Sequence, residues 1–122
     1  MILVFTSQTD TFQMQAHGAE MMRLACINMI EKGIRLCMPI HDALLIEVPT
    51  TDDEEIAYYV ALAQECMADA SRAILNGFVL QTEAKIVKYP DRYVDERGIK
   101  TWNKIWDIIG IDTYKLSLKE KS

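Results

Sequence analysis

The chain has 122 residues and a formal net charge of −5; half of the residues are hydrophobic, a quarter are charged, and only five are glycine and three proline. This composition is typical of one ordinary globular domain and excludes collagen, coiled coils and intrinsic disorder. No apolar run reaches the roughly 18 residues of a membrane span, and the beginning of the chain lacks the basic and long apolar regions of a signal peptide. We therefore expect a cytoplasmic protein without membrane contact.

The acidic residues are concentrated in one stretch, since residues 51–76 contain six acidic side chains and one basic side chain. Carboxylates at the start and on the solvent face of a helix account for such a stretch, because they complement the helix dipole. The net charge therefore does not exclude a nucleic-acid partner.

The cysteines Cys26, Cys37 and Cys66 lie far apart in apolar segments. This spacing fits neither a zinc site nor a disulfide framework, so we expect three buried thiols. The two histidines, His17 and His41, are too few for a multi-histidine metal centre.

The first half of the chain has the pattern of a helix followed by a hairpin. Apolar residues at helical spacing predict an amphipathic helix from Phe12 to Lys32 that ends at Gly33, and its methionines favour a packed core face over an adaptable groove. Two runs of β-forming residues, 34–40 and 43–48, are joined by His41 and Asp42. They predict an antiparallel hairpin that presents these two polar side chains at its tip.

The second half predicts a helix, a strand and a further helix. The stretch from Thr51 to Glu54 has the pattern of a capping box and begins a helix over about residues 52–75. Alternation over residues 78–87 predicts a strand beside the hairpin, and helical spacing predicts a short helix over 99–109 that ends at Gly110. The order helix–hairpin–helix–strand–helix indicates an α+β fold with helices packed on a small antiparallel sheet. We expect one domain over residues 1–110 and a flexible tail over 111–122.

A carboxylate at the tip of a hairpin is exposed, held by a rigid element and able to coordinate a hard cation such as Mg²⁺. The tip here is His41–Asp42, within the sequence PIHDALLIEV. Histidine and aspartate are also ordinary turn residues, so the pair alone does not establish a site.

Two sequence blocks resemble the C-terminal palm region of the family A DNA polymerases, the bacterial DNA polymerase I class. The blocks are MQAHGAEMMRLACI, from Met14 to Ile27, and IHDALLIEV, from Ile40 to Val48. In that family a helix opening with Met-Gln-Gly-Thr-Ala-Ala-Asp leads into a hairpin with Val-His-Asp-Glu-Leu and then Val-Phe-Glu-Val. Both blocks match without internal gaps and in the right order, and the resemblance covers roughly residues 11–87. Because residues 89–98 depart from the usual family ending, the chain resembles a divergent, phage-like or plasmid-like member.

This resemblance implies roles for three residues. Asp42 matches the aspartate that helps bind two Mg²⁺ ions, at which the primer 3′-hydroxyl attacks the nucleotide. His41 matches a neighbour that contacts the primer terminus. Gln15 matches a glutamine that reaches the minor-groove edge of the nascent base pair, although a solvated first-turn glutamine is the alternative. The implied activity is nucleotidyl transfer in DNA replication, with primer–template DNA and deoxynucleoside triphosphates as partners.

Several positions depart from the family pattern. Ala43 replaces the motif glutamate, Thr11 replaces an asparagine that often contacts DNA, and Ala16 and His17 replace the usual Gly-Thr. The loss of the glutamate weakens the inference of metal affinity, although the aspartate is the principal ligand.

Two parts of the family's active site have no counterpart in these 122 residues. One is a second metal-binding aspartate on an earlier strand, and the other is a fingers helix with the pattern Arg-x-x-x-Lys-x-x-x-Tyr-Gly. Asp10 and Glu47 are weak candidates for a second ligand, because Glu47 lies along a strand and the path of Asp10 is unknown. We therefore expect the chain alone to be inactive.

The leading hypothesis is a palm segment of a DNA polymerase, as a split subunit, a truncated reading frame or a piece of a larger enzyme. The alternative is a non-catalytic assembly or binding module. In that case the helix face formed by Met14, Met21, Met22 and Met29 mediates self-association or contact with the rest of a polymerase. A His-Asp metal phosphohydrolase requires more histidines and aspartates, usually on helices, than this sequence has.

Overall fold

The computed structural model describes residues 2–7 and 15–116, and before His17 it describes the backbone alone. The chain groups into two compact units, Met1–Asp91 and Arg92–Ser122. The elements in chain order are β1 (Ile2–Ser7), α1 (Gln15–Glu31), β2 (Arg35–Ile40), β3 (Ala43–Glu47), α2 (Asp53–Ile74), β4 (Thr82–Val87) and α3 (Ile99–Ile109), with a short 3₁₀ turn (Glu96–Gly98) before α3.

The first unit is built on a four-stranded antiparallel sheet in the order β2-β3-β1-β4. The predicted α+β class, with helices on a small antiparallel sheet, is confirmed, and the five predicted elements follow one another as expected. The prediction that the strand after α2 pairs beside the hairpin was wrong. β1 lies between them, with Val4 opposite both Leu45 of β3 and Lys85 of β4.

The core of this unit lies between one face of the sheet and the two long helices. Alternate residues of β3, Leu44 and Ile46, are fully buried, as expected for a strand with one covered face. Both helices contribute apolar residues at helical spacing to the same cluster. The buried helix residues are Met21, Ala25, Met29, Ile56, Ala63, Cys66, Met67 and Ala70.

The methionines of α1 belong mainly to this core. Met21 and Met29 are buried and Met22 is half-buried against the same cluster, whereas Met14 lies outside the described residues. The predicted exposed methionine face for self-association is therefore not present at Met21 and Met29. Self-association through another surface stays a prediction.

The end of α1 is as predicted, whereas the residue that caps the start of α2 differs from the prediction. Gly33 adopts the left-handed conformation, with φ of +77°, that ends a helix such as α1. α2 is capped by Asp52, whose side chain accepts a hydrogen bond from the Glu54 amide, and the Thr50 hydroxyl accepts one from the Asp52 amide. The capping box predicted from Thr51 was therefore displaced by one residue.

Two of the three cysteines are protected as predicted. Cys66 is buried and Cys26 is half-buried, and burial raises the pKa of both thiols above the usual value. Cys37 is exposed, so the prediction for this residue was wrong. The pairing of β2 with β3 shifts between Leu36 and Met38, and this irregularity leaves Cys37 without a register partner in the sheet.

The second unit contains α3 and the segments on either side of it. Ile99 is its buried anchor, and Gly110 ends the helix with φ of +79°, as predicted. The structure draws the boundary between units before α3, whereas we expected one domain to residue 110. Residues 111–116 contact α3, while 117–122 of the expected tail lie outside the described residues.

Across the described segments, 2–7 and 15–116, no helix is both long enough and apolar enough to cross a membrane.

Candidate functional site

The tip of the β2–β3 hairpin presents the residues that the sequence singled out. Ile40 pairs with Ala43, so His41 and Asp42 form a two-residue turn, and both are exposed. His41 has a φ of +53°, which is uncommon for a residue with a Cβ, while Asp42 is not in this region. A positive φ at the first turn position suits the tight connection of a twisted hairpin. The turn therefore projects an imidazole and a carboxylate into solvent from a short, defined loop.

The strand behind this turn is anchored firmly. Ala43 is 7% exposed, Leu44 and Ile46 are fully buried, and Val48 beyond the strand is buried as well. Because protein interiors are close-packed, a buried strand has little freedom to move. The backbone at Asp42 is therefore held next to a strand that is fixed in the core.

A strand that the sequence analysis missed ends beside this tip. β1 pairs antiparallel with β3 and brings Thr6 opposite Ala43, while Ser7 lies opposite Thr82 of β4. The signal was the short run ILVFT at the start of the chain, which is rich in β-forming residues. The same run lacks the features of a signal peptide, and its strand was not predicted.

The third predicted residue, Gln15, is the first residue of α1. α1 is joined to β2 by a short turn in which the Ile34 amide donates to the Met29 carbonyl, and the two elements pack together. A helix of 17 residues is about 25 Å long and a strand of six is about 20 Å, so the start of α1 and the hairpin tip lie toward the same end of this unit. Gln15 is thus placed at this end by its backbone.

Of the two acidic candidates for a second metal ligand, Glu47 lies far from Asp42. Glu47 lies five residues along β3, about 16 Å from the tip, and its carboxylate is 3.5 Å from the Arg35 guanidinium. Asp10 lies outside the described residues. Glu83 of β4 shares a sheet row with Thr6 and Ala43, but two strand spacings, about 10 Å, separate it from Ala43.

No cluster of three or more potential metal-ligating side chains occurs in the part of the chain that the structure describes. Asp42 is a suitable oxygen ligand for Mg²⁺, but a defined site needs several such ligands. Within the described residues the tip therefore offers one candidate oxygen ligand, Asp42, and no assembled metal site.

The acidic start of α2 is remote from the tip. β3 runs away from Asp42, and α2 begins beyond its far end with Asp53, Glu54 and Glu55. The first turn of α1, at the tip end, contains no acidic residue. Because exposed charges are screened within about 10 Å, these carboxylates contribute little repulsion to an anionic ligand at the tip.

No family model matches the chain, and no match was found among curated proteins or solved structures. The polymerase resemblance therefore rests on the two sequence blocks alone.

Proposed function

We propose that the chain is a palm segment of a family A-like DNA polymerase, with the His41–Asp42 tip as its contribution to the nucleotidyl-transfer site. The observation that carries the proposal is the exposed two-residue turn held by a buried strand. The gapless match of the block from Ile40 to Val48 to the polymerase motif supports the same assignment.

In this proposal Asp42 holds Mg²⁺ and His41 contacts the primer terminus. Two divalent ions in such a site stabilise the attacking and leaving oxygens of an in-line displacement. The buried strand fixes the backbone that carries the carboxylate before substrate arrives, which limits the cost of organising the site. Gln15, at the start of α1, is proposed to contact the minor-groove edge of the nascent base pair.

The proposal requires partners to supply the second metal-binding carboxylate and the positive groups that bind a nucleoside triphosphate. The natural partners are the remainder of a polymerase, primer–template DNA and deoxynucleoside triphosphates, and the compartment is the cytoplasm. We expect the purified chain with Mg²⁺ to extend no primer. Template-dependent incorporation by the chain alone would contradict this expectation.

A non-catalytic assembly module is the competing proposal. It is favoured by the exposed apolar residues of α3, among them Ile105, Ile108 and Ile109. Asp42→Asn separates the two: it abolishes activity in a complex restored with its missing parts under the first proposal, and leaves every function intact under the second.

Metal binding at Asp42 can be tested on the chain as it stands. Mn²⁺ accepts the same oxygen ligands as Mg²⁺ and broadens the NMR signals of nearby amides. Titration with Mn²⁺ should broaden the amide signals of residues 40–43 preferentially. Asp42→Asn should reduce this local broadening several-fold, because it removes the anionic oxygen.

The matched control is Asp91→Asn, which neutralises another exposed aspartate of the same unit. It should leave broadening at the tip unchanged. Equal broadening at residues 40–43 in the wild type and in Asp42→Asn would contradict the proposal that Asp42 binds the metal.

The reading frame upstream of Met1 provides a second test. An aspartate-bearing strand and a fingers helix with the Arg-x-x-x-Lys-x-x-x-Tyr-Gly pattern would support a polymerase piece. An unrelated upstream sequence, together with the absence of a separately encoded partner carrying these elements, would contradict it.

A further inference from the structure

The second unit contains a groove that the polymerase resemblance does not cover. It encloses about 730 Å³ and lies between the residues before α3, the first turns of α3 and the segment that follows the helix. Its aromatic lining residues are Tyr93, Trp102 and Tyr114, and its cationic ones are Arg92 and Lys115. One carboxylate, that of Asp95, also lines the groove and is paired with Arg97. A volume of this size is typical of a ligand pocket.

The aromatic wall of the groove is fixed by hydrogen bonds between α3 and the following segment. The Trp102 indole N–H donates to the Tyr114 carbonyl at 2.8 Å. The Asn103 side chain donates to the Leu116 carbonyl and accepts from the Leu116 amide, each at 2.9 Å. Trp102 and Tyr114 nevertheless remain 42% and 50% exposed. The groove thus offers preorganised aromatic faces that no described residue covers fully.

Tyr114 in this wall also packs against the ring of Trp106. The rings of Trp106 and Tyr114 lie with their centroids 4.8 Å apart, and Trp102 meets Trp106 edge to face at 5.5 Å. Stacked aromatic side chains lose little further freedom when a ligand binds, because their orientation is already set.

The two cations of the groove differ in how far they are neutralised. Lys115 forms ion pairs with Asp107 and Asp112, and the hydrogen bonds that its ammonium group donates to these carboxylates raise the pKa of Lys115 to about 12. Arg92 forms no hydrogen bond or ion pair with any residue that the structure describes. Arg92 is therefore the uncompensated positive charge beside the aromatic faces.

These features match the chemistry of a nucleotide in a strand. Nucleobases stack on aromatic side chains in single-stranded nucleic-acid sites, and a guanidinium pairs with a phosphate through two parallel hydrogen bonds. A triphosphate requires a cluster of cations, whereas one uncompensated guanidinium suits a single phosphodiester. A purely apolar peptide would leave Arg92 without a partner.

We propose that this groove binds single-stranded DNA, with bases stacked on Trp102 and Tyr114 and a backbone phosphate on Arg92. The site goes beyond the function proposed for the hairpin tip, and it does not depend on Asp42.

The test uses the full chain, whose two tryptophans, Trp102 and Trp106, both lie in α3. An oligothymidylate of about ten nucleotides should quench tryptophan fluorescence saturably, because bases stack beside Trp102. Arg92→Gln should weaken binding roughly fivefold at about 0.1 M salt and reduce the slope of log K against log salt by about 0.7, as expected for one lost phosphate contact. Trp102→Ala should weaken binding by about tenfold.

Lys104→Gln is the matched control, since Lys104 belongs to the same helix but does not line the groove. It should bind the oligonucleotide as the wild type does. Because Arg92 is exposed, Arg92→Gln keeps the test valid if Trp102→Ala fails to fold. The proposal is overturned by equal weakening in Arg92→Gln and Lys104→Gln, by thymidine monophosphate binding as tightly as the oligonucleotide, or by no quenching. No quenching, together with binding of an apolar dye that Trp102→Ala abolishes, would favour a protein partner instead.

Discussion

His41 occupies a turn position whose backbone conformation favours glycine. A left-handed conformation costs an ordinary L-residue roughly 1–2 kcal/mol, because Cβ approaches the following carbonyl oxygen. Glycine avoids this cost, although it loses about 0.5–1 kcal/mol more conformational entropy on folding. We therefore expect His41, at φ of +53°, to cost stability relative to glycine at this position.

Substitution at His41 should separate stability from function. We expect His41→Gly to leave the free energy of unfolding unchanged or to raise it by up to about 1 kcal/mol, since the strain is relieved. His41→Val should lower it by more than about 1 kcal/mol, because a β-branched residue tolerates positive φ poorly. Urea denaturation of both variants measures these changes.

The strain argument fails if His41→Gly is the less stable of the two variants. It also fails if His41→Val matches the wild type.

At the scale of elements, the helices were predictable because a helix that is buried on one face has apolar residues every three or four positions in the sequence. Met21, Ala25 and Met29 recur at intervals of four and are all buried. β1 was missed because its six residues carry no such period and lack a hairpin partner in sequence. Its neighbours, β3 and β4, come much later in the chain. Pairing over such distances is set by the whole fold and is not visible in local spacing.

The beginning of α2 illustrates how a correct pattern can select the wrong residue. The pattern from Thr51 to Glu54 identified a cap, but both Thr51 and Asp52 are good cap residues. The structure selects Asp52, because the Thr50 hydroxyl accepts from the Asp52 amide and orients the residue for its own hydrogen bond.

Two substitutions test this assignment. Asp52→Ala should lower the free energy of unfolding by about 1 kcal/mol, because the Glu54 amide loses its acceptor and the helix dipole loses a carboxylate. Thr51→Ala is the matched control and should change stability by less than about 0.5 kcal/mol. Thermal or urea unfolding gives both values. If Thr51→Ala lowered the free energy of unfolding more than Asp52→Ala, the result would support the predicted capping box at Thr51 instead.

At the scale of the whole molecule, only part of the site was open to prediction. His41 and Asp42 could be assigned to a tip because a hairpin follows from two local strand patterns. The end of β1 beside this tip could not, because it depends on which strands become neighbours. The groove of the second unit was equally hidden, since the contact of Trp102 with Tyr114 joins residues 12 positions apart that have no shared pattern.

The central position of β1 makes it the element on which the sheet of the first unit depends. Val4 lies in register with Leu45 on one side and Lys85 on the other, so the strand pairs along both edges. Val4→Pro removes a backbone donor and introduces a ring that a central strand does not accommodate. We expect the free energy of unfolding to fall by about 3 kcal/mol or more. The sheet signal in circular dichroism and the dispersed amide signals in NMR should be lost as well.

Val79→Pro is the matched control for this change. Val79 lies between α2 and β4, outside regular structure, and its amide donates no hydrogen bond within the described residues. The same substitution there should lower stability by less than about 1 kcal/mol, because no ladder bond is lost. If Val4→Pro unfolds at the same urea concentration as Val79→Pro, β1 is not a central strand, and its place beside the His41–Asp42 tip is lost with it. If Val4→Pro unfolds and Val79→Pro does not, the tip is supported by a strand from the beginning of the chain.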